Sequence, residues 1–141
     1  MSYPRWRIIL AKTNMTRKSS IAPPPVTLAA VDQAFKGFAD PTRIRILNLL
    51  SAGELCVCDI VDILRLPQPT VSRHLAYLRR AGLVEATREW KFAHYRLSEA
   101  RDPVHASLLE CVSSAFEDVP SLSRERRHAA ARAVARASEP C

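Results

Sequence analysis

Residues 59–80 read DIVDILRLPQPTVSRHLAYLRR, and the apolar positions of this stretch decide the fold. Their spacing predicts a short helix over residues 59–65 and a second helix over residues 68–80. Pro67 favours a tight turn between the two helices, and Gly82 ends the second one. A short helix, a tight turn and a second helix form the helix-turn-helix layout.

The second helix has two distinct sides. Val71, Leu75 and Leu78 cluster within about 60° of arc, so they predict the buried side. The opposite side has small polar residues, a tyrosine and arginines without any acidic residue. It fits a DNA major groove better than it fits an ordinary exposed helix face. We predict DNA contacts by this helix and by the hairpin after it: Gln68, Thr70, Ser72, Arg73, Tyr77, Arg80, Arg88 and Lys91.

The apolar period changes after Gly82. Residues 83–88 and 92–97 are predicted as two strands that flank Glu89-Trp90-Lys91. A hairpin directly after the second helix is a wing. The predicted fold is therefore mostly α with a small β-hairpin wing, a dimeric winged helix-turn-helix.

Three further helical segments lie outside this unit. The first precedes Asp40-Pro41, which starts the second over residues 41–51, and the third runs over residues 103–118 after Asp102. The first and last helices have more apolar surface than a compact winged helix needs, which predicts pairing across a two-fold axis. The predicted dimer interface consists of Leu28, Val31, Phe35, Leu108, Val112 and Phe116.

The composition limits the remaining possibilities. With 141 residues, the chain is long enough for one domain, predicted over residues 27–118 between a flexible basic tail at 1–26 and an Arg/Ala-rich C-terminal tail at 119–141. The net charge is +7, and no acidic residue lies between Arg65 and Val84. Such a charge distribution suits a polyanion such as DNA. No apolar run is long enough for a signal or membrane segment, so we expect a cytoplasmic protein without a membrane partner.

Two cysteines stand at the start of the short helix. Leu55 to Cys58 is predicted to be extended, and residues i and i+2 of an extended segment point the same way, so the thiols of Cys56 and Cys58 can converge. The following helix N-terminus favours the thiolate form of Cys58, and thiolates bind soft ions. The alternative is a pair of half-buried structural cysteines.

Several motifs together resemble the ArsR/SmtB family. They are FADPTRIRIL at residues 38–47, ELCVCD at 54–59, TVSRHL at 70–75, AGLV at 81–84 and HYRL at 94–97. The resemblance covers about residues 28–118. It implies a dimeric winged-helix repressor that leaves double-stranded operator DNA when it binds a metal or metalloid. The LCVCD box is similar to that of the arsenic-responsive and cadmium/lead-responsive members, and it implies Cys56 and Cys58 as ligands.

The sequence departs from the family patterns at several positions. Val61 occupies the place of a third cysteine in the arsenic-responsive pattern, and the N-terminal extension has no cysteine. Asp102 and His105 lack the spacing of the family's zinc site, and Trp90 stands where the wing tip often has glycine. A third donor must then come from Cys111, from Cys141 or from solvent.

Each of these minor candidates has a structural alternative. Cys111 is equally well explained as a small hydrophobic residue at the interface, and Cys141 follows a flexible segment. His74 and His94 are better explained by packing or hydrogen bonding than as ligands.

The sequence thus predicts a repressor that As(III) or Sb(III) releases from DNA, with no organic cofactor. One alternative is a thiol redox or persulfide sensor that links Cys56 or Cys58 to Cys111. Another is a response to Cd(II), Pb(II) or Zn(II). An enzyme is not expected, because the Cys-x-Cys spacing is not the Cys-x-x-Cys of redox catalysts and three glycines leave no phosphate-binding loop.

Overall fold

A computed structural model describes residues 25–89 and 91–138 of the chain. Most of the predicted N-terminal tail, Trp90 at the wing tip and Cys141 lie outside these described residues. The described part folds into α-helices around a three-stranded antiparallel sheet, which confirms the predicted fold class. None of the described helices has both the length and the apolar character needed to cross a membrane.

Helix α1 spans Leu28–Phe38 and helix α2 spans Pro41–Leu50. The predicted start of α2 is confirmed, because the Asp40 carboxylate accepts a hydrogen bond of 3.0 Å from the backbone N–H of Arg43. Helix α1 packs closely on the chain that leads into the wing. A Cβ atom at Gly37 would lie only 2.5 Å from Cδ1 of Leu83, so any larger residue would force the Leu83 side chain to move.

The helix-turn-helix consists of α3, Val57–Leu64, and α4, Gln68–Arg80. Arg65 ends α3 in the left-handed conformation, with a φ of 55°, and the chain turns there toward α4. Val71, Leu75 and Leu78 of α4 are fully buried, as the apolar stripe predicts.

The sheet has the order β1-β3-β2, with β1 at Leu55–Cys56, β2 at Val84–Glu89 and β3 at Phe92–Leu97. Strands β2 and β3 are the predicted wing hairpin. The added strand β1 pairs antiparallel with β3 and places Cys56 opposite His94. The wing is thereby hydrogen-bonded to the segment that carries the first cysteine.

The C-terminal part comprises α5 at Pro103–Ser114, a 3₁₀ turn at Ala115–Asp118 and α6 at Pro120–Ser138. Helix α6 differs from the predicted C-terminal tail, because it packs on α2 and α3 and buries Ala129 completely. A buried polar residue explains part of this docking. The Asn48 side chain of α2 donates to the carbonyl of Leu122 at 2.8 Å and accepts from Arg126 at 3.0 Å.

The core lies between α2, the helix-turn-helix and the sheet, with α5 and α6 along one side. Its fully buried side chains include Ile46, Leu47, Leu49, Leu55, Ile60, Val71, Leu75, Leu78, Leu83, Val112 and Ala129. The placement of Val112 in the predicted dimer interface is therefore wrong. Val112 belongs to the same buried cluster as Leu49 and Ala129, so one chain already covers its side chain.

Candidate thiol site and nucleic-acid interface

The two predicted thiols converge at the junction of β1 and α3. Their Sγ atoms lie 2.7 Å apart, with Cys56 buried and Cys58 exposed. The prediction that both cysteines lie in an extended segment is wrong, because the strand ends at Cys56 and the helix begins at Val57. The helix starts early because Val57, Ile60 and Leu64 share its apolar side. The thiol pair therefore spans the cap and the first turn of α3.

Among the residues that the structure describes, no third donor comes to this pair within one chain. Across residues 25–89 and 91–138 there is no group of three Cys, His, Asp or Glu side chains that could hold a metal ion. Cys111 is exposed on α5. Two soft donors fit a thiophilic ion, and any further donor has to be supplied from outside this part of the chain.

Hydrogen bonds from Arg132 attach helix α6 to α3, the helix whose start carries the thiol pair. Arg132 donates to the Asp62 carboxylate at 2.7 Å and to the buried Asp59 carboxylate at 3.2 Å. The hydrogen bond with Asp62, followed by the charges of both carboxylates, raises the pKa of Arg132 above its already high value. Asp59 follows Cys58 directly, so α6 is tied to the first turn of α3.

Most of the predicted DNA contacts are exposed on one face of α4 and the wing. Thr70 and Tyr77 are half-buried, whereas the other predicted residues are exposed: Gln68, Ser72, Arg73, Arg80, Arg88 and Lys91. The Tyr77 ring is stacked under the guanidinium of Arg43, whose central carbon lies 4.2 Å from the ring centre. Sequence reasoning missed Arg43, because the spacing along α2 does not show that its side chain reaches Tyr77 of α4, the recognition helix.

A cleft of about 520 Å³ joins the thiol site to the predicted DNA-binding residues. Cys58 lines this cleft together with Gln68 and Ser72 of α4 and Arg88 and Lys91 of the wing. Sequence reasoning could not find this arrangement, since the wing comes thirty residues after the cysteine. An occupant of the cleft would contact the thiol, the recognition helix and the wing at once.

The two histidines near this region have carboxylate neighbours. Nδ1 of His94 lies 3.8 Å from Glu54, and its Nε2 lies 4.0 Å from Glu89. Nδ1 of His74 lies 3.7 Å from Asp40. These separations exceed hydrogen-bond distance, and Nε2 of His94 is buried without a hydrogen-bond partner among the described residues, so the packing and hydrogen-bonding roles of both histidines stay a prediction.

The apolar face of α1 is largely uncovered in one chain. Leu28 is 84% exposed and Phe35 is 54% exposed, whereas Val31 and Leu108 are half-buried. Phe116 packs partly against the core. Of the predicted interface, the α1 residues therefore offer the larger free surface.

This fold, with a polar recognition helix beside a basic wing, defines a winged helix-turn-helix DNA-binding protein. The family model described as bacterial regulatory protein, arsR family, matches residues 40–86. The chain is 54% identical over 67 residues to the arsenical resistance operon repressor of Escherichia coli K12, a match that covers 47% of this chain and 57% of that one.

A second relative is covered more fully. The cadmium resistance transcriptional regulatory protein CadC homolog of Staphylococcus aureus is 36% identical over 89 residues, which is 62% of this chain and 71% of that one. Among solved structures, the homodimeric winged helix-turn-helix domain of a possible ArsR-family regulator from Mycobacterium bovis matches with a TM-score of 0.54 and 33% identity. That match covers 65% of this chain and 83% of that one. The chain belongs to the arsR family of bacterial regulatory proteins.

Proposed function

We propose that this protein is a homodimeric transcriptional repressor that leaves its operator DNA when Cys56 and Cys58 bind As(III) or Sb(III). The observation that supports this proposal most directly is the cleft that Cys58 shares with predicted DNA contacts of α4 and the wing. The identity to an arsenical resistance operon repressor supports the choice of effector.

The donor chemistry supports a thiophilic effector. Two sulfur atoms 2.7 Å apart can face the same ion, and thiolates select soft ions over hard ones. The Cys111 thiol of a second protomer, the thiol of Cys141 or a solvent molecule would supply a further donor. When bound, the effector would bridge the end of β1 and the first turn of α3.

The position of Cys58 explains how release can follow. The chain can respond to an effector only through a difference in affinity between its DNA-bound and free arrangements. Moving the Cys58 thiol toward an ion shifts the first turn of α3, which packs against α4. It also changes the cleft wall opposite Arg88 and Lys91, so both sets of DNA contacts are affected.

A dimer is supported by the uncovered face of α1. Within the described residues nothing covers the exposed side chains of Leu28 and Phe35, which a second molecule could bury, and a homodimer exists for the M. bovis domain. A two-fold axis would present two recognition helices to a palindromic site.

A different effector is the second candidate, and the CadC homolog from S. aureus favours it. Cd(II), Pb(II) or Zn(II) would need oxygen or nitrogen donors beside the thiols. A persulfide or oxidant could instead act on the thiols and form a disulfide between Cys56 or Cys58 and Cys111.

One experiment separates these candidates. The purified protein selects duplex DNA from a random library, and this DNA is labelled. The protein–DNA complex is then titrated with As(III), Sb(III), Cd(II), Zn(II) or a persulfide donor. We expect As(III) and Sb(III) to release the DNA from the wild type but not from C56S/C58S, which should still bind DNA. C111S should also lose release if Cys111 supplies the third donor and should keep it if Cys111 only packs at the interface, and a mass measurement detects any disulfide. Full release of DNA from C56S/C58S by As(III) would contradict the site.

A further inference from the structure

A second cleft, of about 800 Å³, lies between α6, α2 and the end of α3. It is far richer in cations than in anions, with Arg45, Arg65, Arg124 and Arg132 in its wall and His128 beside them. The predicted DNA contacts, which all lie on α4 and the wing, include none of these side chains. The cleft exists only because α6 docks on the domain.

The two carboxylates of this cleft are already neutralised. Glu125 accepts a hydrogen bond of 2.9 Å from Nε of Arg45, and Asp62 accepts one of 2.7 Å from Arg132. Arg65 and Arg124 are exposed and make no ion pair within the described residues. Two guanidinium groups at one cleft are thus available for an anion from solution. Planar guanidinium groups match the paired oxygens of a phosphate.

The position of Arg65 indicates where that phosphate comes from. Arg65 precedes Gln68, the first residue of the recognition helix, by three residues. Even a fully extended chain separates the two Cα atoms by at most about 11 Å. A DNA duplex that receives the first turn of α4 in its major groove therefore places its backbone next to this cleft.

We propose that the cleft formed by Arg65, Arg124 and the rest of the α6 wall binds a phosphate of the DNA backbone beside the recognition-helix contact. Helix α6 then extends the protein–DNA interface beyond the helix-turn-helix and the wing. The proposal depends on DNA binding by the winged helix and is independent of the effector. Because backbone contacts carry no base information, they add affinity for every sequence.

The test compares two arginines of the same helix. Arg124 lines the cleft, whereas Arg127 is exposed on α6 and does not line it. R124Q and R127Q remove the same charge, so a general loss of positive potential affects both equally. Binding of a mixed-sequence duplex is measured from 0.05 to 0.3 M salt, and the slope of log K against log salt counts the phosphate contacts.

We expect R124Q to reduce the slope by about 0.9 for each phosphate that the variant no longer binds. At 0.1 M salt, the loss of one such contact weakens DNA affinity by about eightfold. R65Q should give a similar decrease, and R127Q should leave the slope unchanged. Thermal unfolding of each variant checks that the fold is retained. Equal slopes for R124Q, R127Q and the wild type would overturn the proposal.

A titration with inorganic phosphate and with pyrophosphate distinguishes a small-anion site. The backbone assignment is supported if these anions bind weakly and R124Q both removes that binding and reduces the DNA slope. Tight pyrophosphate binding that R124Q removes while the DNA slope stays constant would overturn it. Failure of As(III) to release DNA would contradict the proposed function alone, because this test contains no effector.

Discussion

The guanidinium of Arg43 joins the end of α1 to the recognition helix through Tyr77. It donates to the backbone carbonyls of Lys36 at 2.8 Å and Gly37 at 3.0 Å, and it lies over the Tyr77 ring at 4.2 Å. These carbonyls lie in the last turn of α1, where C=O groups lack an i+4 partner, and the Lys36 carbonyl also accepts from the backbone N–H of Ala39 at 3.2 Å. One side chain therefore connects the helix with the exposed apolar face to the helix predicted to read DNA.

We expect R43A to lower the free energy of unfolding by about 1.5–3 kcal/mol, because hydrogen bonds that involve a charged group contribute about that much. R43K is the matched control. It keeps the charge but cannot satisfy both carbonyls while it covers the ring, so its effect should be intermediate. Urea unfolding followed by circular dichroism measures both. An R43A variant as stable as the wild type would contradict this role.

Arg73 is exposed on the face of α4 that we predict to enter the major groove. R73A should weaken binding of the selected operator by about 1–3 kcal/mol if the guanidinium pairs with a guanine. The loss should be larger for the operator than for mixed-sequence DNA. Competition binding at one salt concentration measures the difference. An equal loss of affinity for both duplexes would show that Arg73 contacts the DNA backbone and not a base.

DNA should protect Cys58 from alkylation. Its thiol lines the cleft with Gln68 and Arg88, so a bound duplex would restrict access to it. Exposed Cys111 on α5 serves as the internal control and should react at the same rate with and without DNA. Mass spectrometry after a timed iodoacetamide pulse gives both rates. Unchanged alkylation of Cys58 in a saturated complex would place the DNA elsewhere.

The uncovered α1 face should mediate dimerisation, so L28E is expected to shift the protein to monomer in sedimentation at micromolar concentration. Val112 provides the contrast because it is fully buried within one chain. V112A should lower the free energy of unfolding by about 1–3 kcal/mol through reduced burial and a cavity, without changing the monomer–dimer equilibrium. A dimeric L28E variant would argue against this interface.

The stability of the fold should decrease below about pH 6.5 because of His105. Burial lowers the pKa of this imidazole, and the Arg101 charge also lowers it against the opposing effect of Asp102. Below its usual value of 6.5, the unfolded chain takes up the proton and the folded chain does not, so acid favours unfolding until the lowered pKa is reached. The free energy of unfolding of H105L should depend less on pH than that of the wild type. The control replaces the exposed His128 instead. An unchanged acid slope in H105L would contradict the assignment.

Periodicity predicted most of the fold. The stripes of Val71, Leu75 and Leu78 and the change of period after Gly82 identified α4 and the wing because those residues pack within one local unit. The position of α6 depends on partners more than seventy residues away, such as Asn48 for Arg126 and Asp59 for Arg132. A pattern read along one helix contains no signal for such distant partners, and the assignment of Val112 to the interface failed for this reason.

The thiol pair was found for a partly incorrect reason. Convergence of Cys56 and Cys58 was expected from an extended backbone, but a helix start also brings the two sulfur atoms together. Which cleft Cys58 faces depends on the pairing of β1 with β3 across about forty residues, which local sequence cannot specify.

Under the proposed function, the shared cleft of Cys58, α4 and the wing also determines the effector concentration that releases the repressor. If an effector at this cleft weakens DNA binding by a given factor, DNA must weaken effector binding by the same factor. Each additional operator copy would then retain repressor in the form that binds the effector poorly. The concentration for half-maximal induction would therefore rise with the number of operators, and a reporter plasmid would shift the threshold that it is meant to measure.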